Sequence, residues 1–167
     1  MARGKFNLGW PAAVALLVAA AAAWWLLPWL RGDYRTTPEF RGMEVREITL
    51  VNDLGERVEL KVRVADGVEE QLAGFQHIGR RIIAHSLILF IFAQPIRGKF
   101  HMRNVDAPLD IAFIAADGQV LATMRMEPGP ELYGPDEPFQ YVLEAPAGLL
   151  AARRISPQGS RLLLESF

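Results

Sequence analysis

The residues best suited to chemistry gather around one short stretch: Arg103, Asn104 and Asp110, with His101 and Glu144 as candidate neighbours. If the chain from Lys99 to Arg103 is extended, His101 and Arg103 share one face of it, and Asn104 opens a loop that Pro108 closes before Asp110. An arginine, an amide and a carboxylate can together orient a small polar ligand, the guanidinium pairing with an anionic group. That use requires Arg103, Asn104 and Asp110 to converge on a concave surface within ~6 Å of each other. Asn and Asp also bind loop amides readily, so the same residues could simply hold the turn, with Arg103 pairing to Asp110 or Asp106 at the surface. A His101–Asp110 acid–base pair would suit a hydrolase, but no Gly-x-Ser-x-Gly context supplies a nucleophile, and no catalytic residue is assigned. His77, His85 and His101 match no ligand spacing, so neither a metal nor a cofactor is expected.

The elements that must position this group are mostly strands. Val58, Leu60, Val62 and Val64 alternate with Arg57, Glu59, Lys61 and Arg63, and residues 45–51 alternate likewise, with a turn at Asn52–Gly55 between them. This predicts a hairpin with one wet face. Asp66, with Glu69 three residues on, predicts the cap of a short helix running to about Phe75. Leu87–Phe92, LILFIF, has the length of a strand covered on both faces. Further strands are expected at residues 99–103, 111–114, 119–126, 139–144 and 161–164, the second and third joined at Asp117-Gly118. The four prolines of residues 127–138 predict a loop, and residues 147–154 a second short helix. The fold class expected is mainly β (α+β): a small barrel-like antiparallel domain with one or two short helices.

Ahead of it stands a segment of different character. Leu8–Leu30 is 23 residues long, holds no charge, and carries all four tryptophans. At about 1.5 Å per residue, such a helix reaches ~34 Å, enough to span a hydrocarbon core. Trp10 near one end and Trp24, Trp25 and Trp29 near the other suit the two membrane interfaces. Arg3 and Lys5 precede it as in a secretory signal, and the apolar run continues past the small residues Ala19–Ala23 where cleavage would fall. An uncut signal anchor over residues 1–30 is expected, with membrane lipid as its partner, the N-terminus cytoplasmic and the following domain periplasmic or extracellular. The alternative is secretion after cleavage. Residues 31–43 read as a linker and 44–167 as the β-rich domain.

Charge and composition exclude several functions. Removing Arg3, Lys5 and Arg31 from 18 cations leaves 15 against 19 acids, a net charge of -4 for the remainder, so no nucleic-acid partner is expected. The absence of cysteine excludes a disulfide scaffold or a thiolate metal module.

The run from Phe100 to Ile114, FHMRNVDAPLDIAFI, resembles the domain of unknown function 192 family. The resemblance extends over roughly residues 60–165 through Glu69–Phe75, Leu89–Phe92 and Tyr141–Gly148, in the family's order. It implies a small β-rich, barrel-like fold, often exported behind a signal or membrane segment, with no established activity. His101, Arg103 and Val105 stand where the family usually has Trp, Lys and Thr. The expected function is a membrane-anchored, non-enzymatic module binding a small ligand or an envelope protein. The alternatives are a hydrolase using His101 and Asp110, and a structural envelope accessory protein without a pocket.

Overall fold

The computed structural model describes residues 33–166 together with Val18. Val18 aside, the anchor expected over 8–30 lies outside these residues. Among the described residues no helix is long and apolar enough to cross a membrane.

Nine strands, four short α-helices and a 3-10 turn at Leu164–Ser166 make up the described fold. The strands are β1 (Glu44–Val51), β2 (Arg57–Ala65), β3 (Ile88–Ile96), β4 (Phe100–Met102), β5 (Leu109–Ile114), β6 (Val120–Met126), β7 (Gly129–Tyr133), β8 (Phe139–Pro146) and β9 (Arg161–Leu162). The helices are α1 (Pro38–Gly42), α2 (Val68–Ala73), α3 (Arg80–Ile83) and α4 (Leu149–Ala152). Seven strands form one sheet in the order β6-β5-β8-β3-β2-β1-β9, and β4 pairs with β7 in a separate ribbon. All pairings are antiparallel except β2–β3. A parallel pair needs a long crossover, and residues 66–87 supply it while carrying α2 and α3 over the sheet.

The expected closed barrel is not formed. The two ends of the sheet meet at a single bridge, Gln119–Arg161, through Val120 N–H to Ser160 O (3.0 Å) and Leu162 N–H to Gly118 O (2.8 Å). With two residues, β9 is too short to extend this bridge into a ladder. Gly118 makes even this contact possible: its φ is +91°, and a Cβ there would lie 2.2 Å from Leu162 O.

Alternation sorts the apolar residues into two cores, one on each face of the sheet. Val58, Leu60, Val62, Val64, Leu89, Ala112, Ile114 and Leu143 fill one, which Leu150 of α4 covers. Ile88, Phe90, Ile111, Phe113 and Val142 face the other, beneath Phe40, Phe75, Ile83 and Met102. The central β3 is thus apolar on both faces, as its sequence predicts.

Three local expectations change. The proline-rich stretch contains β7, whose partners run Phe100–Tyr133, His101–Leu132 and then Met102–Gly129, leaving Pro130 and Glu131 in a bulge. A proline is tolerated there because a two-stranded ribbon leaves one side of each strand without a partner. The cap of α2 is Gly67 rather than Asp66, with Glu70 Oε2 accepting the Gly67 amide at 3.2 Å. Within the stretch read as a linker, Thr37 caps α1 by accepting Phe40 N–H (3.2 Å), and Phe40 and Met43 enter the core. Arg63 lies over the Phe40 ring, 4.4 Å from its centroid.

Candidate functional site

Asp110 is 6% exposed and spends its carboxylate on the fold. Its Oδ2 accepts the amides of Gly148 (2.6 Å) and Leu150 (3.3 Å) at the start of α4, and its Oδ1 accepts Arg125 Nε at 2.6 Å. Each oxygen therefore has a charge-assisted or backbone partner, and the side chain joins β5, β6 and α4. The ion pair is with Arg125, directly opposite on β6, and not with Arg103. Asp106 is likewise taken, by Arg35 at 2.7 Å.

The rest of the expected cluster lies elsewhere. Alternation along β5 puts Asp110 on the face of Ala112 and Ile114, whereas Met102 and Val105, which flank Arg103 and Asn104, belong to the core on the opposite face. Among the described residues Arg103 and Asn104 share no hydrogen bond or ion pair with Asp110, and His101 and Asp110 form no acid–base pair. Arg103 is exposed and has no acidic partner among the described residues. Asn104 takes a left-handed φ of +60°, accepts His77 N–H on its carbonyl (2.7 Å) and donates from Nδ2 to Gln76 Oε1 (3.3 Å). It holds a turn, one of the two uses its residue type allows. His85 follows α3 at the surface.

Two of the expected residues do meet, at a different place. His101 and Glu144 line one cavity of roughly 300 Å³, together with Gln71, Leu72, Gly74, Phe75 and Gln76 from α2 and the turn after it, Phe90 and Phe92 of β3, and Lys99 and Phe100. The walls are mostly apolar, and Phe90 and Phe100 meet edge to face at 5.3 Å between ring centroids. At the mouth, Val68 and Leu72, one helical turn apart on α2, are 72% and 71% exposed. These are large apolar side chains held in solvent beside an apolar opening.

Glu144 is the polar feature of this cavity. It is 5% exposed, and its carboxyl has neither a hydrogen bond nor an ion pair among the described residues. Burial pushes its pKa up to about 8. The other titratable groups on the cavity face away or outward. Lys99 Nζ donates to Gly134 O (2.6 Å) and Pro135 O (3.2 Å) and lies 3.8 Å from Asp136, while exposed His101 accepts Arg103 N–H on Nδ1 (3.3 Å). Gly74 brings backbone close to the carboxyl: its φ is +46°, and a Cβ there would lie 3.4 Å from Phe90 Cζ and 3.9 Å from Glu144 Oε2.

Sequence reasoning includes Glu144 but not the cavity, because the walls come from three separated segments of no shared period. The one sequence signal is Glu144 itself, a lone acid in the apolar stretch Tyr141–Ala145, whose direct partners prove to be Ile88 of β3 and Ile111 of β5.

Comparison with known proteins agrees with this fold. No curated protein matches the chain. Among solved structures, a candidate transcription regulator from Sinorhizobium meliloti 1021 is similar at a TM-score of 0.67 and 26% identity, over 75% of this chain and 97% of that one. A protein of unknown function from Novosphingobium aromaticivorans DSM 12444 is similar at 0.65 and 25% identity, over 77% and 91%. Residues 49–163 match the profile of DUF192, described as an uncharacterised group of proteins. With that match spanning both cores and the cavity, the chain belongs to the DUF192 family.

Proposed function

We propose that this domain is a non-enzymatic small-ligand-binding module whose site is the cavity beside Glu144, held at the extracytoplasmic side of a membrane by the segment 8–30. The observation that carries the binding reading is a buried carboxyl without a partner on an open, mostly apolar cavity. Burying an unpaired ionisable group costs several kcal/mol, roughly 1.4 for each unit of pKa displacement, and a ligand that supplies a partner recovers part of it. The volume falls at the small end of ligand pockets, roughly 300–1,000 Å³, and suits a molecule of about one ring. The anchor reading rests on the length and tryptophan placement of the apolar segment.

The description of the Sinorhizobium meliloti neighbour suggests a regulator. A net charge of -4 after the apolar segment, from 15 cations and 19 acids, weighs against direct DNA binding here.

The test is titration of the full chain, in zwitterionic lipid nanodiscs, with benzyl alcohol, followed by NMR. Saturable shifts confined to residues 71–76, 90–92 and 98–101, abolished by Ala73→Phe at the cavity wall, are expected. Non-saturable or scattered shifts would exclude the cavity as a site.

A further inference from the structure

Resting on the cavity being a ligand site, we propose that its ligand is an organic ammonium: a primary or substituted amine on a small aromatic or aliphatic body, its charge against Glu144 and its body among the Phe side chains. Geometry and charge select this class. The only carboxyl lining the cavity is Glu144, and it has no partner among the described residues. The only ammonium lining it, that of Lys99, is already held by Gly134 O, Pro135 O and Asp136, so an anionic ligand finds no free lysine to meet it. Phe90, Phe92 and Phe100 present aromatic rings on the same cavity, and ring faces attract cations more strongly where water is excluded. One carboxyl among hydrocarbon walls is too few ligands for a metal ion, which needs several donors.

Occupancy by such a ligand is coupled to a proton. Near neutral pH, Glu144 is mostly the neutral acid, its pKa raised by burial to about 8. An entering ammonium favours the carboxylate, so the carboxyl O–H bond breaks, the proton leaves to solvent, and the ion pair forms with no other change in bonding. Of the other titratable groups on the cavity, Lys99 is directed to the loop at residues 134–136, and His101 is exposed at the rim. Release of the Glu144 proton becomes easier as pH rises, so amine binding strengthens from acid toward neutral pH.

Three probes with one ring and different heads separate the possibilities: benzylamine, benzyl alcohol and benzoate, each titrated by calorimetry into the full chain in zwitterionic nanodiscs near pH 7. Benzylamine is expected to bind about tenfold more tightly than benzyl alcohol, with proton release seen as a dependence of the heat on buffer ionisation. Glu144→Gln is expected to remove that tenfold preference, read as the ratio of the benzylamine and benzyl alcohol affinities within the same variant. The Glu144 carboxyl ¹³C shift of the unaltered chain should move toward the carboxylate value on adding benzylamine, a readout that needs no variant. Benzyl alcohol or benzoate binding as tightly as benzylamine, with the carboxyl shift unmoved, overturns the ammonium assignment and leaves the cavity as a site. Failure of all three to bind saturably overturns both.

Discussion

Glu144 and Asp110 stand on neighbouring strands yet project to opposite faces of one sheet: Glu144 pairs with Ile111 across β5, and Asp110 pairs with Ala145 across β8. A one-residue offset in a period-two lattice is enough to separate them completely. Asp110 has two backbone amides and an arginine, whereas Glu144 has an apolar cavity. The first carboxyl is held by the fold, and the second has no partner among the described residues.

The pH dependence of stability should carry the mark of Glu144. Its folded pKa, about 8, lies above the ordinary glutamate value of 4.5, so between those values the folded chain holds a proton that the unfolded chain has lost. Stability is therefore highest below that window and falls as pH rises through it, with a limiting slope of ~1.4 kcal/mol per pH unit. Thermal melts of the full chain from pH 5 to pH 9 should show this decline. In Glu144→Gln, which keeps shape and removes the titration, the decline should be largely absent and the melting temperature at pH 8.5 higher than in the parent.

Asp110 predicts the opposite kind of variant. Asp110→Ala leaves the Gly148 and Leu150 amides and Arg125 without their acceptor, a loss on the order of 1–3 kcal/mol by denaturant unfolding. Arg125→Ala should cost less, because the arginine is half exposed and removes only one of the contacts. Neither change should alter benzyl alcohol binding by the folded fraction.

The acid limb of stability should depend on Asp53. Its oxygens accept Ser156 Oγ–H (2.6 Å) and Ser160 Oγ–H (2.7 Å), and these bonds, opposed by slight desolvation, hold its pKa below the ordinary aspartate value. Stability from this group is present above the unfolded pKa and lost as pH falls through the folded one. Ser156→Ala with Ser160→Ala should move the acid transition, followed by circular dichroism, to higher pH. An unmoved transition would show that these bonds do not contribute.

Gly74→Ala tests how closely the backbone approaches the site. The conformation at φ +46° disfavours any side chain, and strain of about 1–3 kcal/mol is expected in the unfolding free energy. The added methyl also meets Phe90 and nears Glu144, so benzyl alcohol should bind more weakly to the variant.

Much of the fold is legible in the sequence because its strands are amphipathic or flanked by turn residues. Val58, Leu60, Val62 and Val64 announce β2, and Asp117-Gly118 announces the β5–β6 connection. β7 is hidden because Pro128 and Pro130 mimic a loop, and its pairing depends on a bulge that local sequence does not encode. α1 is hidden because so short a helix shows only Thr37 and Pro38 as signals. The site is legible only in part. Residue type marks Asp110 as an acceptor of backbone amides and brings Glu144 into view, whereas the Asn104 side chain bonds the Gln76 side chain instead. Which face of the sheet each carboxyl occupies depends on register, and the cavity depends on packing α2 and β4 over that face, both of them tertiary facts.

The most direct test of the site is a ¹³C NMR titration of the Glu144 carboxyl in the full chain without ligand. A midpoint near 8 is expected for a buried carboxyl without a partner beside an apolar cavity. A midpoint near the ordinary glutamate value of 4.5 would mean a solvated carboxylate and would contradict the assignment of this cavity as the functional site.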